Sequence, residues 1–212
     1  MKHNLILAGL AAAAALFFAG CGEPAPDAAD NGASALSVIM NRKSVRSFTG
    51  EKISQEQIET ILKAAMAAPT AINIQPWQFV VVNDDALLEQ LYGGNPRGAM
   101  FTQAGTVIFV CGETEMSRPG RDGGEPQAAP NQFWSQDCSA ATENLLLAAE
   151  ALGLGAVWTA LYPDEMRSKP IADALGLPEN VKPLCAVPVG YPAGEDQPKD
   201  KWKPEKIHYN RW

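Results

Sequence analysis

Histidine is nearly missing from this chain. There are two in 212 residues, and because His3 belongs to the leading segment, His208 is the one left for the body. That scarcity argues against a Ser-His or Cys-His nucleophile, which needs a base within hydrogen-bond reach. Cysteine is thin as well: beyond Cys21 there remain Cys111, Cys138 and Cys185. This odd set has no CxxC pair and no His-rich spacing, so no metal site is expected. Cys111 and Cys185 sit inside apolar, strand-like runs and read as buried, inert thiols. The glycine signatures of phosphate cradles are lacking too: there is no Walker sequence, and "GLGAVW" is not a GxGxxG opening a helix after a strand. Positive charge is in deficit, with a formal net charge of −7. A body this acidic is a poor candidate for nucleic acid, whose affinity comes largely from neutralising phosphates.

What is present begins with an apolar leader. Lys2 and His3 precede "LILAGLAAAAALFFAG", and that run meets Cys21. Residues 1–20 read as a signal peptide. Ala19 and Gly20 before Cys21 resemble the lipobox of bacterial lipoproteins, in which the cysteine is diacylated and becomes the new N-terminus; Phe18 stands where Leu is usual. An uncleaved membrane anchor is the alternative, but the run is short against the roughly 20 apolar residues that a span requires. The lipoprotein reading places the chain in the cell envelope, lipid-anchored to a membrane and facing the periplasm or exterior. Residues 21–35 are small, polar and Pro-containing, and serve as a flexible tether. Residues 36–212 form the body, of a length that suits one domain. Losing residues 1–20 removes Lys2, so the formal charge becomes −7 − 1 = −8.

Helices and strands interleave along the body. "ALSVIMNRKS" has a helical apolar pattern that ends as a basic cluster begins. "SQEQIETILKAAMAA" follows, with Ser54 as N-cap, Gln57 in the capping-box position, and Ile58, Ile61, Leu62 and Ala65 on one face. "QFVVV" and "GTVIFVC" predict strands, separated by the helix "DDALLEQLY" and a turn at "GGNPRG". Residues 117–130, rich in Gly, Pro and charge, predict a loop or lid. "SAATENLLLAAEAL" is apolar almost all the way round and must be buried on most sides, by its own domain or by a second subunit. Strand "GAVWTAL", helix "PDEMRSKPIADALG" and strand "PLCAVPVGYP" complete an α+β or α/β arrangement. The last residues, "KDKWKPEKIHYNRW", are basic and aromatic with no clear core face.

Against the acidic background, "NRKSVRSFTG" gathers Arg42, Lys43 and Arg46 around the hydroxyl of Ser44. Such clusters are commonly just solvated surface. The alternation near a helix end also suits a phosphate, held by free backbone N–H groups, a guanidinium fork and a hydroxyl. Without a glycine cradle, a nucleotide phosphate would have to be held by side chains from separate parts of the chain, a requirement that flavin mononucleotide (FMN) meets.

These residues carry a family resemblance. In "NRKSVRSF", "AAPTAINIQPWQFVVV", "ALGLGAVWTALYP" and "VPVGYPAGE…KWKP…HYNRW", in that order and spacing, the body resembles the nitroreductase family of FMN-dependent oxidoreductases. The resemblance implies an α+β fold with a central, mainly antiparallel sheet flanked by helices, built as an intertwined homodimer with FMN at the interface. It implies that Arg42 and Ser44, assisted by Lys43, hold the phosphate and ribityl chain, and that Arg46 lies near the pyrimidine edge. Pro69, Thr70, Ala71 and Asn73, from the other subunit, would pack on or bond to the isoalloxazine. Trp158, Thr159 and Ala160 occupy the stretch whose backbone passes the flavin, and Lys201 and Lys203 would complete the phosphate clamp from the tail.

The function so implied is ping-pong hydride transfer from a reduced donor, NAD(P)H or another, to an electron-poor acceptor such as a nitroaromatic or quinone. Catalysis then belongs to the cofactor, so no acid–base residue is assigned. Phe133 and Trp134 are candidates for the acceptor pocket or for ordinary packing. Two rival readings stay open: a flavin-binding lipoprotein acting as a non-catalytic interaction module, and a surface protein whose basic ends are only solvated.

Overall fold

A computed structural model describes residues 35–118 and 124–212. Residues 1–34, on which the expected leader, the expected lipidation at Cys21 and the expected tether fall, lie outside the described residues. The first helix, α1 (Ala35–Asn41), ends where the basic cluster begins. Helix α2 (Gln55–Met66) starts on the expected capping box. The Ser54 hydroxyl accepts from the Gln57 N–H at 3.2 Å, and the Gln57 side-chain oxygen accepts from the Ser54 N–H at 2.8 Å. Its buried residues, Ile58, Ile61 and Ala65, form the expected stripe.

The sheet is antiparallel throughout. Strand β1 (Trp77–Val82) pairs with β2 (Val107–Glu113), from Trp77 opposite Gly112 to Val82 opposite Val107. Strand β2 pairs in turn with β7 (Val181–Gly190), across a register shift between Val110 and Cys111. Both β2 and β7 are buried almost end to end, which is why they read as continuous apolar runs: each has helices over both faces. Ile108, Val110, Cys185, Val187 and Val189 meet α2 and the long α5 (Trp134–Ala151). On the other face Val107, Phe109 and Ala186 join Leu88, Phe101 and Ile171, carried by α3 (Asp85–Tyr92), α4 (Ala99–Ala104) and α6 (Glu165–Leu175). The α+β expectation is met. Among the described residues no helix is long and apolar enough to cross a membrane.

Three expectations need correction. Residues 117–130 are not simply a loop: β3 (Glu115–Arg118) and β4 (Gln127–Pro130) form a two-stranded antiparallel ribbon. It is largely exposed, so no apolar alternation marks it. "GAVWTAL" is not one strand but two short pieces, β5 (Gly155–Ala156) and β6 (Thr159–Ala160), each paired with β7. Helix α5 begins at Trp134, earlier than its apolar run.

Candidate functional site

The basic segment is held rigidly by its neighbours. The Val45 N–H donates to the Ala156 carbonyl at 3.0 Å, the Thr49 N–H to the Tyr191 carbonyl and the Ala193 N–H to the Ser47 carbonyl, each also at 3.0 Å. Val45 and Phe48 point inward and are buried, while Ser44 and Arg46 face solvent. The fit against β5 is close: a Cβ on Gly155 would stand 2.6 Å from a Val45 methyl. The segment therefore presents its polar side chains beside the strand pieces that lead to Trp158, Thr159 and Ala160. Trp158 and Thr159 are half-buried and Ala160 is exposed.

The cations are not left to repel one another. Arg42 Nε lies 3.2 Å from Glu143, and Lys43 Nζ lies 3.0 and 3.2 Å from the two carboxylate oxygens of Glu150. Both glutamates belong to α5, seven residues apart and so on one face. The Arg42 contact uses only the Nε side of the guanidinium, which keeps its two Nη groups for another acceptor. One expectation fails here. The helix end beside the cluster is the C-terminus of α1, where the Arg42 N–H is already donated to the Val38 carbonyl. Helix N-terminal amides therefore do not assist, and an anion would rest on side chains.

The Pro-Thr-Ala-x-Asn segment is a tight turn between α2 and β1. Ile72, Asn73 and Gln75 take φ values of 45°, 59° and 54°, a left-handed region that non-glycine residues rarely visit and that clusters at functional sites. The turn closes on itself: the Asn73 N–H donates to the Thr70 carbonyl and the Gln75 N–H to the Thr70 hydroxyl, both at 3.3 Å. Pro69 and Asn73 are exposed, and Thr70 and Ala71 half-buried. Among the described residues its outside hydrogen bond is that of the Ala71 N–H, which donates to Asp137 Oδ1 at 3.0 Å.

Asp137, Glu143 and Glu150 went unrecognised in the sequence. The last two carry a faint signal, acidic residues at helical spacing in an otherwise apolar helix. Asp137 carries none, because its partner lies 66 residues away.

The structure seats the segment carrying Arg42, Lys43, Ser44 and Arg46 against Ala156, two residues before Trp158, and ties the 69–73 turn to a different part of α5. Lys43 and Ala71 contact residues of α5, Glu150 and Asp137, that are 150 − 137 = 13 positions apart, roughly 20 Å along the axis and about 140° around it. Lys201 and Lys203 are exposed on a tail in which, from residue 195 on, no hydrogen bond or ion pair reaches the rest of the described chain. Trp134 is buried and meets Tyr162 edge-on at 4.8 Å, whereas Phe133 is exposed. Cys111, Cys138 and Cys185 are free and buried, as read for Cys111 and Cys185, and burial pushes each thiol up to about 12. No group of three or more metal-ligating side chains occurs among the described residues.

An antiparallel α+β fold carrying a side-chain-built basic surface defines the class, and sequence comparison gives the family. The Nitroreductase family model matches residues 39–95 and 93–191; the chain belongs to that family. A protein of Archaeoglobus fulgidus, provisionally named NADH dehydrogenase/NAD(P)H nitroreductase, is 42% identical over 180 residues, covering 84% of this chain and 98% of the relative. A crystal structure from Bacteroides thetaiotaomicron under the same provisional name superposes with a TM-score of 0.75 at 44% identity, covering 85% of this chain and 99% of that one. A provisional nitroreductase of a Desulfovibrio desulfuricans subspecies, solved in complex with FMN, superposes with a TM-score of 0.68 at 28% identity over 85% of this chain and 98% of that one.

Proposed function

We propose that this nitroreductase-family oxidoreductase binds FMN between two copies of the chain and transfers hydride from NAD(P)H or another reduced donor to an electron-poor acceptor such as a nitroaromatic or quinone, by a ping-pong sequence. The observation that carries the reading is the division of the candidate residues between opposite flanks of α5. A flavin touching both sets takes the basic segment from one protomer and the 69–73 turn from its partner.

Uncovered apolar surface supports a second copy. Leu36, Ile39 and Met40 of α1 are exposed, as is Ile72 at the tip of the turn. Leu152, the C-cap of α5, is also partly open.

The residues present fit FMN. Arg42, through its remaining Nη donors, and the Ser44 hydroxyl offer charge-assisted hydrogen bonds to a phosphate. Lys43, engaged by Glu150, supports them through its charge. Lys201 and Lys203, on a tail not tied to its own body, add the second half of the clamp. Arg46 supplies positive charge at the pyrimidine edge, where it stabilises the anionic form of a reduced ring. Thr70, Ala71 and Asn73 of the partner and the 158–160 backbone orient the ring and exclude water. FMN, when bound, supplies the two-electron chemistry itself.

The test is the absorption spectrum of the protein from residue 22 onward, reconstituted with FMN, before and after anaerobic NADH or NADPH. A bound-flavin spectrum that bleaches is expected. Binding without bleaching would favour the non-catalytic module, and no binding would overturn the proposal.

The envelope location belongs to the proposal too. Cys21 is taken to be diacylated, so incorporation of labelled palmitate is expected in the full-length chain and should vanish in Cys21→Ala; label retained in that variant would sink it.

A further inference from the structure

We propose that Asp137 is a positioning residue: a buried carboxylate on α5 that fixes the 69–75 turn and thereby places Ala71 and Asn73 against the flavin of the partner protomer. The inference rests on the proposed two-chain flavin site and adds a residue to it.

Three observations carry it. First, the turn is an excursion with one outside tie. Ala68 enters the core before it and Pro76 after it, the Pro76 carbonyl accepting from the Glu113 N–H at 2.9 Å. Among the described residues every other hydrogen bond between them is internal to the turn, and the Ala71 N–H to Asp137 bond is the one that ties it to the body. Second, Ile72, Asn73 and Gln75 sit at positive φ. Residues so placed persist only where the surroundings over-determine them, and a charged acceptor gives a stronger, more directional anchor than a neutral one. Third, Asp137 is 6% exposed, and its second oxygen, Oδ2, is buried with no hydrogen-bond partner among the described residues. An aspartate held that way is expensive to keep for packing alone. Its neighbours along α5, Cys138 and Ala141, are apolar and fully buried, so the carboxylate is directed to the turn rather than to a polar network of the helix.

The experiment compares wild type, Asp137→Asn and Asp137→Ala in hydrogen exchange of the segment 69–76 and in FMN affinity with the visible circular dichroism of the bound flavin. Asn keeps an acceptor oxygen at nearly the same size; Ala removes it. In Asp137→Ala, faster exchange in the turn, an FMN Kd raised about tenfold and an altered flavin spectrum are expected, the size following from one hydrogen bond to a charged group. In Asp137→Asn, exchange and spectrum should return most of the way to wild type. Should Asp137→Ala fail to fold, Ala71→Pro deletes the same bond from the donor side. Thr70, at φ −134° and ψ 155°, already has the extended backbone that a following proline requires, and the same loss of FMN affinity is expected. Unchanged exchange and FMN binding in the variants, or an Asn variant as impaired as Ala, would overturn the inference. A wild-type protein that binds no FMN would instead remove the flavin reading, and the exchange data would still decide whether Asp137 anchors the turn.

Discussion

Arg42 and Lys43 are adjacent in sequence yet differ in what they are free to do. Arg42 keeps two Nη groups beyond its contact with Glu143, whereas Lys43 is gripped by both oxygens of a Glu150 carboxylate that is only 16% exposed. Arg42→Ala should weaken FMN retention by on the order of 1.5–3 kcal/mol, the range for a hydrogen bond to a charged group; normal flavin content after purification under low FMN would contradict it. Lys43→Ala should act chiefly on stability, because it strands a mostly buried carboxylate, and a lowered melting temperature of the apoprotein checks this. The thiols make a separate prediction. With pKa values raised by burial to about 12 from 9.0, Cys111, Cys138 and Cys185 are protonated and shielded in the folded chain. Their protonated state supports the fold fully below pH 9, and that support is lost as the pH climbs from 9 towards 12. A urea midpoint that falls between pH 8 and pH 10.5, less so in a Cys138→Ala background, is the expected result. At pH 8 a thiol reagent should modify these three only after denaturation.

At the scale of elements, local rules carry much of the fold. Ser54→Ala removes one arm of the α2 capping box and should cost about 1 kcal/mol, read as a shift in the urea midpoint. Gly155→Ala forces a methyl against Val45 and should cost about 1–3 kcal/mol, with a loss of FMN affinity because the same contact seats the basic segment. The features that were legible in the sequence share one property: they are written within a few residues, as in the Ser54-Gln57 box, the apolar runs of β2 and β7, and the apolar circumference of α5. What was not legible depends on partners far along the chain. The β3–β4 ribbon has no buried face to impose alternation. The pieces β5 and β6 exist only because β7 offers them hydrogen bonds, and the Asp137 tie spans 66 residues. The basic cluster stood out as a site because like charges crowded together conflict locally; that Glu143 and Glu150 answer them could not be read without the fold.

For the whole molecule, a site shared between protomers makes a prediction that a site within one chain does not. Arg42→Ala and Asn73→Ala, each impaired alone, should regain flavin-dependent activity when co-expressed as mixed dimers. One of the two sites then receives Arg42 from one chain and Asn73 from the other, both intact. No recovery in isolated mixed dimers would place all the determinants in a single protomer. The helix that divides the two sets also limits how such a protein can change. Each residue inserted into α5 between Asp137 and Glu143 would move one end by 1.5 Å and turn it by about 100° relative to the other, uncoupling the turn's anchor from the glutamates that face Arg42 and Lys43. Point substitutions along α5 leave that spacing intact, so its composition can change without moving the two sets relative to each other, whereas a change in its length moves one set past the other.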